Sequence, residues 1–193
     1  MWIEPVTLEG RYIRLEPLSS AHVPALWAAT APEIYRFKPY AVNTEDDMHG
    51  FVARLQHMLA AGEGLGFATI DRSTGAAVGS SSYFAADAQH RRLEIGGTWV
   101  APGRQRTPVN TEAKYLMLGH AFESLGCLRV EFKTDRLNEK SRRALERIGA
   151  IEEGVFRNHM VMPDGRIRDS VYYSIIDAEW PAVKKRLENF LAR

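Results

Sequence analysis

The chain has 193 residues, 25 Lys and Arg against 24 Asp and Glu, an apolar fraction of 45% and one cysteine. That length fits one domain with a substantial core, which we expect over residues 1–193, and the composition is that of a folded chain and not a disordered one. A net charge of +1 speaks against a coat for nucleic acid, which needs a concentrated positive field, and the lone Cys127 excludes an internal disulfide framework.

No apolar run reaches the roughly 20 residues of a membrane span, and the first residues carry neither a basic nor a hydrophobic leader region. The expectation is a cytoplasmic protein with no membrane and no nucleic-acid partner.

In chain order, residues 6–8 and 11–17 predict a hairpin about Glu9-Gly10, because Ile13 and Leu15 alternate with Tyr12, Arg14 and Glu16. A short helix is expected over 20–29 with Leu26 and Trp27 inward. Thr44 suits the N-cap of a helix over 45–60, whose Phe51, Leu55 and Leu59 share one face. Strands over 65–71 and 76–84 flank a turn, and a third spans 93–100. A helix over 111–124 carries Ala113, Leu116, Met117, His120 and Ala121 at helical spacing and ends at Gly126. A strand over 128–134 leads to a helix capped by Asn138, with Ala144, Leu145 and Ile148 buried, closed by Gly149. Strands over 151–162 and 167–176 meet at Pro163-Asp164-Gly165, and 179–191 forms a last helix with Pro181 in its first turn. The class is α/β (α+β): a mixed, mostly antiparallel twisted sheet with helices on both faces and a βαβ core that demands parallel neighbours.

The chemistry points to residues 98–114. A strand ends at Val100, a basic loop follows, and a helix begins near Asn110 or Thr111. Free N–H groups at a helix start make an anion site, and Arg104 and Arg106 beside them suit a pyrophosphate. Spacing alone leaves this open against an ordinary strand-to-helix turn with two exposed arginines.

Four motifs in order bear on that choice: Leu93-Glu94-Ile95-Gly96-Gly97-Thr98-Trp99-Val100, Asn110-Thr111-Glu112-Ala113-Lys114, the stretch 138–150 from Asn138 to Ala150, and Gly165-Arg166-Ile167-Arg168-Asp169-Ser170. With these the chain, from about Gly79 to Ile176, resembles the GNAT superfamily of acyl-coenzyme A-dependent N-acyltransferases. The likeness is closest to the branch of ribosomal-protein N-terminal acetyltransferases. The resemblance implies acetyl-CoA as co-substrate and an amine acceptor, either a protein N-terminus or a small molecule. It implies strand-like pairing of the Trp99 and Val100 backbone with pantetheine, and a pantetheine contact from Asn138, a residue that also suits an N-cap. The family's pyrophosphate loop is matched at Gln105, but Pro108 and Asn110 stand where it has glycine or alanine. The donors left to the loop are the N–H groups of Arg106, Thr107, Val109, Asn110 and Thr111, since proline has none. The loop is therefore either a modified cradle or one that has lost the coenzyme.

Many family members place a tyrosine acid at the position of Leu145, so that group is absent here. Ser141 matches the branch's serine proposed to bond the coenzyme sulfur, and equally reads as a serine in a first helical turn. For the base, Glu94 is the first choice, directly or through water. Glu112 is the second, although a helix dipole also explains it. Cys127 lacks a neighbouring His and reads as core, not as an acyl carrier. The six histidines show no metal-ligand spacing, so no metal is expected. The acceptor is expected between residues 31–42 and the hairpin 157–168, lined by Tyr35, Phe37, Tyr40 and arginines. The mechanism implied is direct attack in a ternary complex; a non-catalytic acyl-CoA sensor and an interaction module are the alternatives, and the last helix could serve a homodimer.

Overall fold

The computed structural model describes residues 2–193. Its strands are β1 (Leu8–Glu9), β2 (Ile13–Pro17), β3 (Leu65–Asp71), β4 (Ala77–Asp87), β5 (Arg92–Val100), β6 (Arg129–Asp135), β7 (Ile151–Val161) and β8 (Ile167–Ile176). Its helices are α1 (Val23–Ala29), α2 (Glu45–Ala60), α3 (Pro108–Gly119), α4 (Glu139–Ile148) and α5 (Trp180–Leu191). One sheet runs through all the strands in the order β1-β2-β3-β4-β5-β6-β8-β7. Every neighbouring pair is antiparallel except β5 and β6. The crossover between those two runs through α3, as a parallel pair requires.

Two apolar clusters hold the sheet from opposite faces. One unites Leu93, Ile95, Val130, Phe132, Val171 and Tyr173 of the strands with α3, α4 and α5. The other packs α1 and α2 on Ala68, Ile70, Ala77 and Trp99. Strand side chains alternate between faces, so Glu94, lying between Leu93 and Ile95, turns to the α1–α2 side.

Local signals explain most boundaries. At α2, Thr44 Oγ1 accepts the Asp47 N–H at 3.1 Å while Asp47 Oδ2 accepts the Thr44 N–H at 3.0 Å, a reciprocal cap. Met48, Phe51, Val52 and Leu55 form its buried face, and Leu59 is only half-buried. Trp27 and Ala144, expected inward, are half-buried too. Gly149 closes α4 at φ +103°, where a side chain would be strained.

The larger correction concerns α3. It begins at Pro108, with Thr107 as N-cap, about three residues before the expected start. It gives way at His120–Ser124 to a π-turn, which is where a regular helix was expected to continue. Proline is at home in a first helical position, because the N–H it lacks would have had no intrahelical partner. The proline that reads as a defect in a glycine loop is thus a helix start.

Candidate active site

The opening between β5 and β6 organises the site. The two strands pair at only three positions, Arg92 with Arg129, Leu93 with Val130 and Glu94 with Glu131. Beyond Glu94, β5 continues to Val100 along β4, while β6 continues to Asp135 along β8. The facing edges therefore carry backbone groups without a ladder partner, into which an extended chain can hydrogen-bond. A bulge in β5 helps to turn it away. Between the pairs Ser82–Gly96 and Ser80–Trp99, β5 has one residue more than β4. Gly97 takes φ +63° there, with Phe84 ring atoms 3.2 Å from where a Cβ would sit. Only glycine fits that conformation at that approach.

The starts of α3 and α4 follow β5 and β6 at the open end. In α3, Thr107 Oγ1 accepts the Val109 N–H at a long 3.4 Å, which leaves the Asn110 amide as a first-turn donor. Val109 is buried and Asn110 half-buried, and the Asn110 Oδ1 is a buried acceptor with no partner. Arg106 stands exposed in the loop at φ +62°. An orphaned acceptor, a free helix amide and an exposed arginine beside unladdered strand edges fit the phosphate and pantetheine parts of coenzyme A.

The side chains of three expected ligands are held within the fold, although Thr111 is expected to act through its N–H, which its side-chain bond leaves untouched. Arg104 is tied to the buried Asp71 of β3 at 3.0 Å, so its charge is neutralised within the fold. Gln105 donates its Nε2 to the Val100 carbonyl at 3.1 Å and receives Lys140 of α4 on its Oε1. It is a strut from the end of β5 to α4, and it occupies the carbonyl expected to pair with pantetheine. Thr111 is buried, and its Oγ1 accepts Arg147 Nη2 at 2.8 Å. In each case a partner distant in sequence claims the polar group. Trp99 buries its ring in the α1–α2 cluster. What it can offer the opening is backbone. At α4, Asn138 Oδ1 accepts the Ser141 N–H at 3.1 Å, so the cap role is filled and the other half of the amide remains for a ligand. Ser141 lies half-buried one turn in.

The two candidate bases separate sharply. Glu112 is buried and accepts the N–H groups of Arg11, Tyr12 and Ile13 at 2.8, 2.7 and 2.7 Å. It is a clamp for the N-terminal hairpin, with three of its roughly four lone-pair sites already taken by backbone donors. Glu94 is 9% exposed at the last paired position of β5, and its Oε2 meets Lys133 Nζ of β6 at 3.1 Å. Cys127 is buried and its thiol is pushed up to about 11 by that burial, so it is an inert core residue.

Residues that the sequence left unassigned lie beside these groups. His159 of β7 packs against Phe156 and Tyr172, its ring centroids 5.4 and 5.9 Å from theirs. Asn158 beside it adopts φ +51° in a register break between Phe156 and Met160, the kind of bulge that re-aims a side chain. The Nδ1 of His159 is buried without a partner. Burial, then Lys133 and Arg168, hold its imidazole below the usual range, against a smaller opposing pull from Glu94. Two lysines converge on Thr98. Lys114 donates to Thr98 Oγ1 at 2.8 Å. Lys38 reaches the Gly97 and Thr98 carbonyls at 3.1 and 3.0 Å. Among the described residues neither has a carboxylate within 4.0 Å. Burial and Lys38 push Lys114 down to about 7, and burial and Arg168 push Lys38 to about 8. The expected acceptor segments do meet, since Arg168 Nη1 donates to the Phe37 carbonyl at 3.2 Å. Tyr35 is buried with its ring tilted 59° to that of Tyr40, which stacks on Phe51. Both tyrosines therefore support that wall from behind.

Among the described residues no helix is long and apolar enough to cross a membrane, and no cluster of His, Cys, Asp and Glu could hold a metal ion. Comparison with known proteins bears on the same elements. The sequence profile described as "Acetyltransferase (GNAT) domain" matches residues 13–151. Over 110 residues, 57% of this chain, the sequence is 36% identical to "Putative ribosomal N-acetyltransferase YdaF" of Bacillus subtilis (strain 168). The match spans 59% of that protein, so the chain covers about three-fifths of the length of the curated relatives it matches. A GCN5-related N-acetyltransferase from Brucella melitensis superposes with a TM-score of 0.92 at 33% identity, over 99% of this chain and 87% of that one. Mycobacterium smegmatis RimJ, solved in complex with CoA-disulfide, superposes with a TM-score of 0.80 over 96% of this chain and 94% of its own. At 23% identity that likeness is one of fold. With the profile spanning both the parted strands and the helices that start at their open end, the chain belongs to the GNAT acetyltransferase family.

Proposed function

We propose that this protein transfers an acetyl group from acetyl-CoA to a primary amine by direct attack in a ternary complex. The observation that carries the reading is the parting of β5 and β6 immediately after Glu94. It offers a slot for an extended thioester, with a buried carboxylate at its closed end. The coenzyme supplies an acyl group activated as a thioester.

The chain's own groups divide the remaining work. The first-turn amide and orphaned acceptor of Asn110, with Arg106, hold phosphate and the adjoining arm. Asn138 and Ser141 act from the start of α4, Ser141 through its hydroxyl toward the sulfur. Lys38, and Lys114 in its protonated form, lay positive charge along Gly97–Thr98, which favours the negative charge that builds on a carbonyl under attack. Glu94 takes the proton of the attacking amine through water. Its Oε2 lies 3.1 Å from Lys133 Nζ, and His159, its imidazole held below the usual range and its Nδ1 without a partner, stands ready to relay that proton.

The preferred acceptor is a protein N-terminus, with a small-molecule amine as the competing class. The wall formed by Phe156, which is 54% exposed, and Tyr172 suits peptide backbone and side chains. Lys38, Lys133 and Arg168 would repel a polyamine. The name of the Bacillus relative supports the same choice. Thiol release measured across peptides with defined N-termini, polyamines, amino acids and aminoglycosides tests the acceptor. Calorimetry with acetyl-CoA tests the slot, and no binding at millimolar ligand would sink the reading.

A further inference from the structure

A groove of about 490 Å³ lies between α4 and α5. Arg147 lines it from α4, and Lys185, Arg186, Asn189, Phe190 and Arg193 line it from one face of α5 and the residues that follow. No acidic side chain faces it.

The cations around it differ from their neighbours in one respect. Arg142 is paired with Glu152 at 3.4 Å, Arg143 with Glu139 at 2.6 Å and Lys184 with Glu123 at 2.8 Å. Among the described residues, Arg147, Lys185, Arg186 and Arg193 have no carboxylate within 4.0 Å. The fold thus neutralises the positive charge on both sides of the groove and leaves it standing inside. Like charges held together without a counter-ion repel, and a multivalent anion relieves that repulsion.

Arg147 joins this groove to the coenzyme loop. Its Nη2 donates to Thr111 Oγ1 at 2.8 Å, in the first turns of α3, while its guanidinium carbon lies 4.6 Å from the centre of the Phe190 ring. The groove therefore begins where the pyrophosphate is held. In coenzyme A the group next to the pyrophosphate is a ribose bearing a 3′-phosphate, a dianion of the right size for a few converging cations. A polynucleotide would need a broader field than a chain of net charge +1 offers. Residues 185–193 lie beyond the stretch 13–151 that the family profile matches, so most of the groove comes from the C-terminal helix outside that stretch.

We propose that the α4–α5 groove is a phosphate site that receives the 3′-phosphate end of the coenzyme, with Lys185 and Arg186 as its main contacts and Arg147 as its link to α3. This rests on the coenzyme reading of the β5–β6 opening. The test is calorimetric binding of coenzyme A and of dephospho-coenzyme A, which lacks only the 3′-phosphate, to the full chain. The wild type should bind coenzyme A about tenfold more tightly, and the preference should shrink as salt is raised. The double variant Lys185→Gln/Arg186→Gln should bind both ligands alike, at the dephospho level. Lys184→Gln, on the same helix but paired outside the groove, should keep the preference. Equal binding of the two ligands by the wild type overturns the proposal while leaving the slot intact. So does binding of adenosine 3′,5′-bisphosphate to protein already saturated with coenzyme A, which would mark a separate anion site. If neither coenzyme binds, the slot falls and the groove's assignment falls with it.

Discussion

Glu94 and Glu112 are the same side chain, both buried, and the structure makes opposite things of them. Glu112 meets three backbone amides of the N-terminal hairpin, so most of its acceptor strength is spent on holding residues about a hundred positions away. Glu94 meets one lysine where two strands part, and there we propose that it serves as the base. A buried carboxylate bound by three backbone donors holds a fold together, whereas one with a single donor is the better candidate for chemistry.

The largest expected effect breaks the clamp. Glu112→Ala leaves three buried or half-buried amides without an acceptor and should lower unfolding stability by roughly 3–5 kcal/mol in urea titration. A loss below about 1 kcal/mol would overturn the clamp. Gly10 sharpens the same point, because a Cβ there would lie 2.5 Å from the Glu112 carboxyl. Glu94→Gln should do the converse: turnover falls by roughly a hundredfold or more, with stability changed by about 1 kcal/mol or less. Unaltered turnover in a saturating thiol-release assay would remove Glu94 from the chemistry.

Lys114 gives a pH test of the site's charge. Its folded value of about 7 lies below the ordinary 10.5, so between those values the unfolded chain binds more protons than the folded one. Stability contributed by this group therefore rises with pH across that window and is lowest below it. Relative to Lys114→Met, the wild type should gain about 2 kcal/mol between pH 7 and 9. A flat difference would mean that the amine is solvated or paired. The smallest effect is expected at Pro108. Since it occupies a first helical position, Pro108→Ala should change coenzyme affinity by less than about threefold and stability by less than about 1 kcal/mol. A large loss would show that the loop depends on the proline itself.

Much of the fold was legible along the chain. The Thr44 cap gave the limits of α2 to the residue, and the run 65–71 gave β3, because caps and strand patterns act between near neighbours. Asn138 and Gly149 marked α4 at both ends for the same reason. The start of α3 is less legible, because Pro108 stands where a glycine loop is expected and yet opens the helix. The site was less legible. Arg104 and Gln105 read as loop ligands, yet their side chains bond Asp71 and Lys140, and neither pairing is visible in spacing. His159 carried no metal or triad pattern, and only the bulge at Asn158 aims it.

The sequence by itself determined the order of strands and helices, their caps and turns, and the motif set that resembles an acyl-CoA-dependent family, since these depend on residues within a few positions of one another. Only the tertiary structure decided which polar groups stay free. Whether a carboxylate clamps a hairpin or faces a substrate, and whether four cations are solvated or gathered in one groove, depends on donors and acceptors brought from other elements. Those partners are fixed by where β5 and β6 part and by how α5 lies beside α4, and both are properties of the packed chain.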